Sequence, residues 1–143
     1  MLANKRVIAD SGFWMAFYNP KDQYHLEART LPVDLDSATL LVPWPSLYET
    51  LNTKFVKDPR RVTAFRLVLG KSNVHLVDDL PYRDDAYSSV STGRSARPLS
   101  LVDQIIRLIL ADPAWRVGVI VTFNKVDFID VCRRHSIEVI PNT

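Results

Sequence analysis

Cysteine and glycine are scarce in this 143-residue sequence, and long apolar runs are missing. The single cysteine, Cys132, excludes an intrachain disulfide and a cysteine-built metal site. Four glycines leave no glycine-rich phosphate loop, and the nucleophile elbow of serine hydrolases is absent. No apolar run approaches the ~20 residues of a membrane span, and the first residues lack the apolar core of a signal peptide. We therefore expect a cytoplasmic protein with no membrane partner.

The composition that remains is that of a globular domain. Apolar residues make up 47% of the sequence and charged residues 24%, which excludes intrinsic disorder and predicts a substantial core. This length suits one domain over residues 1–143. Eighteen basic residues against sixteen acidic ones give a net charge of +2, which neither requires nor forbids a nucleic-acid partner.

Short apolar runs alternate with segments of helical periodicity along the whole chain. The runs predict strands at residues 7–9, 39–43, 74–77, 117–121 and 138–140. The intervening segments predict helices at 13–18, 22–31, 46–55, 59–69, 84–91, 101–110 and 127–134, with a loop over 91–98. Continuously apolar strands are typical of a parallel sheet covered on both faces. The fold class is therefore predicted as α/β, a three-layer α/β/α sandwich with a mostly parallel sheet of about five strands.

Four acidic residues stand where predicted strands give way to helices. Asp10 follows the first strand directly, and Glu49 lies in the first turn after the second. Asp103 lies in the first turn of its own helix, and Asp127 opens the helix after the fourth strand. Because the carboxyl ends of parallel strands share one edge, where the ligands of such sheets bind, these carboxylates are predicted to converge there.

Helix capping offers a purely structural interpretation of each acid taken alone. Asp10 can itself be an N-cap, and acids in a first turn favour the helix dipole. The other three acids each follow a capping-type residue at capping-box spacing, namely Ser46, Ser100 and Asn124. Convergence favours a functional site, because dispersed caps have no reason to share one sheet edge.

Four segments in order resemble the motifs of the PIN-domain nucleases, with the closest likeness to VapC-type toxins: VIADS at 7–11, PSLYETL at 45–51, LSLVD at 99–103 and VTFNKVDF at 121–128. The resemblance covers essentially the whole chain. It implies a metal-dependent ribonuclease in which Asp10, Glu49, Asp103 and Asp127 hold Mg²⁺ or Mn²⁺, with Thr122 helping to order the pocket. Many family members carry an acid where Asn124 stands, so either Asn124 or Asp127 completes the cluster.

The chemistry of the acids agrees with this resemblance. Carboxylate oxygens suit Mg²⁺ and Mn²⁺, and no histidine or cysteine cluster offers a softer site. Such an ion lowers the pKa of bound water and offsets the charge that develops on a phosphodiester. Arg94 and Arg97 precede the Asp103 helix, where they are candidates to bind an RNA backbone or, equally, ordinary residues of a solvated loop.

The leading hypothesis is an endoribonuclease that acts as the toxin of a type II toxin–antitoxin pair, with a small antitoxin protein as partner. A housekeeping RNA-processing PIN nuclease is the second hypothesis, and a catalytically inactive PIN-like binding module is the third. The resemblance also implies a homodimer. The target RNA, the antitoxin and the number of bound ions stay open at this level.

Overall fold

A five-stranded parallel sheet forms the centre of the molecule in a computed structural model that describes residues 5–93 and 97–142. The strand order is β3-β2-β1-β4-β5. β1 therefore lies in the middle, with β2 and β3 on one side of it and β4 and β5 on the other. The strands are β1 Arg6–Ala9, β2 Thr39–Pro43, β3 Val74–Val77, β4 Val119–Val121 and β5 Glu138–Ile140. All neighbouring strands pair in parallel, as the apolar runs predicted.

Helices cover both faces of this sheet, which confirms the predicted three-layer architecture. The helices are α1 Ser11–Tyr18, α2 His25–Thr30, α3 Trp44–Thr50, α4 Thr53–Val56, α5 Pro59–Leu69, α6 Arg83–Thr92, α7 Leu101–Ala111 and α8 Ile129–Arg134. Side chains alternate along each strand. Val7 and Ala9 therefore join the core under α1 to α5, whereas Ile8 joins the core under α6 to α8.

Local hydrogen bonds shift several helix starts away from the predicted positions. The helix predicted over 46–55 is two helices, because Asn52 ends the first and caps the second by accepting the Phe55 N–H at 3.0 Å. The helix predicted from Asp22 begins only at His25, because the Asp22 carboxylate accepts the Tyr24 N–H at 2.8 Å and closes a turn.

Backbone conformation explains the other differences. The strand predicted from residue 117 starts at Val119, just after Arg116, which has a positive φ of 48°. The loop predicted over 91–98 is wrong at its start, because α6 continues to Thr92 and ends at Gly93 in the left-handed conformation that favours glycine. Residues 94–96 of that prediction lie outside the described residues. The helix predicted from residue 127 is a 3-10 turn, Lys125–Asp127, followed by α8.

Within residues 5–93 and 97–142, no helix has the length and apolar character needed to cross a membrane.

Candidate active site

Asp10 lies at the carboxyl end of the central strand and connects three elements. Its N–H donates to the Val121 carbonyl of β4 at 3.0 Å, which holds it between the two middle strands. Its carboxylate accepts the Ser11 N–H at 2.7 Å and thereby caps α1. The same carboxylate accepts the Thr122 hydroxyl at 3.0 Å. Asp10 is therefore a helix cap and also one of the four predicted site acids. We call these acids together the acidic edge: Asp10, Glu49, Asp103 and Asp127.

Burial raises the pKa of the Asp10 carboxyl to about 6, because only 5% of the residue is exposed to solvent. The hydrogen bonds from Thr122 and Ser11 offset part of this rise, since they favour the ionised form. The negative charges of Asp103 and Glu49 raise the pKa further. The charges of both carboxylates therefore act on Asp10.

Glu49 reaches the site through a contact that the sequence did not indicate. The predicted capping box from Ser46 to Glu49 is wrong, because α3 already begins at Trp44 and Ser46 lies inside it. The Ser11 hydroxyl donates to the Glu49 carboxylate at 2.8 Å and lies 3.4 Å from the Asp10 carboxylate. Ser11 therefore connects two of the predicted acids, and its only sequence signal is its place directly after Asp10.

Asp103 stands in the first turn of α7, as predicted. The Ser100 side chain accepts the Asp103 N–H at 3.0 Å, which confirms Ser100 as the cap of this helix. Burial raises the pKa of the Asp103 carboxyl, and the nearby charge of Asp127 raises it further, against the hydrogen bond with Ser100. The charge of Asp103 thus affects the pKa of Asp10, and the charge of Asp127 affects the pKa of Asp103.

Two arginines hold Asp127 from opposite ends. The Arg97 guanidinium lies 2.8 Å from the Asp127 carboxylate and also donates to the Val126 carbonyl at 3.2 Å. Arg107 donates to the Asp127 carbonyl at 2.8 Å while binding both carboxylate oxygens of Asp130. The Arg107 contacts join residues 20 and 23 positions apart, so no local motif indicated them. Arg94 lies outside the described residues.

Thr122 and Asn124 differ in their relation to the site. The Thr122 side chain is buried, donates to Asp10 and accepts the Asn124 N–H at 3.0 Å, so it ties the loop after β4 to the end of β1. The Asn124 residue is exposed and its side chain makes no capping hydrogen bond in the 3-10 turn. The expected capping of that turn by Asn124 is therefore wrong.

The donor atoms that the four acids offer are all carboxylate oxygens, and hard divalent cations prefer such negatively charged oxygen ligands. Among the described residues, however, no three acidic, histidine or cysteine side chains are gathered closely enough to form a metal centre as they stand. Glu49 is instead held by the Ser11 hydroxyl, and Asp127 by the Arg97 guanidinium. The oxygen donors are thus of the kind that a hard divalent cation prefers, and two of the four acids are tied to neighbouring side chains.

No protein-family model and no curated protein matches the sequence. Among solved structures, the chain is similar to Mycobacterium tuberculosis VapC20, described as a sarcin–ricin loop cleaving toxin, with a TM-score of 0.68 and 16% sequence identity. The match covers 87% of this chain and 94% of that one. The resemblance indicated by the motifs is thus confirmed at the level of the fold: this chain has the PIN-like fold of a VapC toxin.

Proposed function

We propose that this protein is a metal-dependent endoribonuclease that hydrolyses RNA phosphodiester bonds as the toxin of a type II toxin–antitoxin pair. The observation that carries the proposal is the buried Asp10 carboxylate at the end of the central strand, which Thr122 contacts from β4 and which the Ser11 hydroxyl connects to Glu49; burial and the charges of Glu49 and Asp103 also raise the pKa of this carboxyl. Carboxylates that repel one another lower the stability of a protein, and titratable groups whose pKa values are strongly shifted concentrate at functional sites.

Asp10 and Asp103 would be the principal ligands of Mg²⁺ or Mn²⁺, with Glu49 and Asp127 as further ligands or as groups that orient water. The bound ion would supply a water of lowered pKa and offset negative charge on the phosphodiester. Ser11 positions the carboxylates of Asp10 and Glu49 through its hydroxyl. Thr122 donates to the other oxygen of Asp10 and so fixes the plane of that carboxylate.

The RNA substrate and the toxin role are supported by the fold shared with VapC20, which is described as a sarcin–ricin loop cleaving toxin. A PIN-like toxin of this kind would act in the cytoplasm, as a homodimer, until a small antitoxin protein covers its site. Light scattering during gel filtration measures the oligomeric state, and a monomer at micromolar concentration would contradict the dimer.

Cleavage of purified RNA with Mg²⁺ or Mn²⁺, compared with the same reaction in EDTA, tests the enzyme class. Asp103→Asn should abolish the metal-dependent cleavage, because it removes one ligand charge while changing little volume. Asp85→Asn is the matched control, since Asp85 is an exposed acid on α6 outside the acidic edge. Cleavage that survives chelation, or full activity of Asp103→Asn, would refute the assignment.

Growth measurements separate the toxin from a housekeeping nuclease. Induced expression should stop growth, and co-expression of a small protein encoded immediately upstream should restore it. A housekeeping enzyme would leave growth unchanged. Retained acids at all four positions favour an active nuclease over an inactive binding module, because loss of catalysis usually removes such charges.

A further inference from the structure

A cleft of about 500 Å³ opens between α3, α6 and α7, on the side of the sheet that α7 covers. Its walls carry two tyrosines, Tyr48 from α3 and Tyr87 from α6, which are 70% and 65% exposed. Leu101 and Val102, at the start of α7, supply apolar surface between them. Two exposed aromatic side chains beside one apolar cleft are suited to hold a flat, apolar molecular face.

This cleft adjoins the acidic edge directly. Glu49 lines the cleft and also accepts the Ser11 hydroxyl that contacts Asp10. Val102 lines the cleft and is followed in the chain by Asp103. A ligand bound between the tyrosines therefore touches the wall that the cleft shares with the proposed catalytic carboxylates.

The charges around the cleft determine what kind of group it can accept. Glu49, Asp79 and Asp84 contribute carboxylates, whereas Arg83 is the one cation among the described lining residues. The Arg83 guanidinium binds both oxygens of Asp79, at 2.9 and 3.1 Å, so these two charges offset each other. The remaining carboxylates repel phosphate and favour N–H donors. The phosphate of a nucleotide is therefore disfavoured here, and a nucleobase with an amino group is favoured.

We propose that this cleft binds one unstacked RNA base next to the bond that is cut, and that it prefers bases with an exocyclic amine over uracil. Single-stranded bases are recognised in this way, by stacking on aromatic side chains and by hydrogen bonds to their edges. Adenine, cytosine and guanine present amino groups to carboxylates, whereas the one N–H donor on the pairing edge of uracil lies between two carbonyl oxygens that carboxylates repel. The inference rests on the proposed ribonuclease function, for which it supplies a specificity site.

Sequencing of the ends produced from a randomised RNA pool tests the specificity. The wild-type protein should disfavour uracil at one position beside the cut. Tyr87→Ala should remove that discrimination, because the carboxylates can contact the edge of a base only while the base is stacked in the cleft, and the lost stacking should also weaken binding of every base by about tenfold. Tyr87→Phe should retain the discrimination, because the ring remains. Leu67→Ala, an exposed apolar residue of α5 on the opposite layer, is the matched control and should change nothing.

Binding of short adenosine, cytidine and uridine homopolymers in EDTA, followed by fluorescence anisotropy, gives a readout that needs no catalysis. The adenosine and cytidine oligomers should bind more tightly than the uridine oligomer, and Tyr87→Ala should remove the difference. If the protein does not cut RNA but shows this binding pattern, the nuclease proposal fails and the base site stands.

Cutting without a base preference, or with a preference that Tyr87→Ala leaves unchanged, overturns the base site and leaves the nuclease proposal intact. Light scattering identifies the competing occupant. If Tyr87→Ala converts a dimer into monomers, the cleft is covered by a second copy of the chain and the base site is overturned.

Discussion

Replacing Asp10 with asparagine should stabilise the metal-free protein at neutral pH and destabilise it slightly in acid. Burial raises the pKa of the folded Asp10 carboxyl to about 6 from its ordinary value of 3.8. The folded protein therefore binds the proton more tightly than the unfolded chain, and the free energy of unfolding falls as the pH rises through this window. At about 1.4 kcal/mol per pH unit, the ionised carboxylate costs about 3 kcal/mol above the window.

Asparagine removes this cost but does not match every hydrogen bond. Its side-chain oxygen can still accept the Ser11 N–H and cap α1, because asparagine caps about as well as aspartate. Its amide N–H₂ meets the Thr122 hydroxyl, which donates to Asp10 and already accepts the Asn124 N–H. A mismatched hydrogen bond of this kind costs about 1 kcal/mol. The variant should therefore be more stable by about 2 kcal/mol at neutral pH, a rise in Tm of about 5 °C for a domain of this size.

Thermal scans of both proteins in EDTA, across the range from about pH 4 to about pH 7.5, test this reasoning. The difference should change sign, because in acid the wild-type carboxyl is also neutral and only the hydrogen-bond mismatch remains. Added Mn²⁺ should raise the Tm of the wild type and raise that of the variant much less.

Asp34→Asn is the matched control. The Asp36 N–H and the Ser37 hydroxyl lower the pKa of the half-buried Asp34 carboxyl, so this variant should lose stability at neutral pH. If the Tm difference between Asp10→Asn and the wild type is constant with pH, or if Mn²⁺ raises both Tm values equally, Asp10 acts only as a helix cap.

Three further predictions concern the rest of the acidic edge. Asp103→Asn should abolish Mg²⁺- or Mn²⁺-dependent RNA cleavage without changing the circular dichroism spectrum; residual cleavage equal to wild type would make Asp103 a helix residue only. Arg97→Ala should tighten Mn²⁺ binding about fivefold by calorimetry, because it frees the Asp127 carboxylate from a guanidinium that competes with the metal ion. Arg97→Lys keeps a cation at this position and should not tighten binding. An unchanged affinity of Arg97→Ala would refute the idea that Arg97 competes with the metal ion. Arg107→Ala should lower the free energy of unfolding in urea by about 1 kcal/mol, since it breaks a two-oxygen contact with Asp130, whose carboxylate is partly exposed to solvent. Arg107 lowers the pKa of Asp130, so this loss should shrink as the pH falls through the acidic range, and a loss independent of pH would contradict the ion pair.

The strands were predictable because their signal is local. Each apolar run is short, rich in β-branched residues and bounded by polar or turn residues, and burial on both faces demands that composition. All five runs form strands of one parallel sheet. The helix boundaries were less predictable, because one side chain such as Asn52 or Asp22 can redirect the backbone through a single hydrogen bond.

The positions of the four acids relative to the predicted strands and helices could be read from the sequence, but the contacts that these acids make could not. Position after a parallel strand places an acid at the edge, and the electrostatic effect of Asp103 and Glu49 on Asp10 agrees with that placement. The contacts of Ser11 with Glu49 and of Arg97 with Asp127 join residues 38 and 30 positions apart, and spacing carries no information about such pairs. The three-residue spacing of a capping box predicted the cap at Ser100 correctly. The same spacing predicted a capping box from Ser46 to Glu49 that does not form, because spacing alone does not determine where a helix begins.

The hydrogen bond between Thr122 and Asp10 joins positions 112 residues apart, across strands that are neighbours in the sheet. During translation, β1 leaves the ribosome long before β4 has been made. A growing chain therefore carries Asp10 without its Thr122 partner and without the neighbouring strand that receives its N–H. The acidic edge is therefore completed only when β4 has paired with β1, and chains that end before β4 cannot assemble the proposed site.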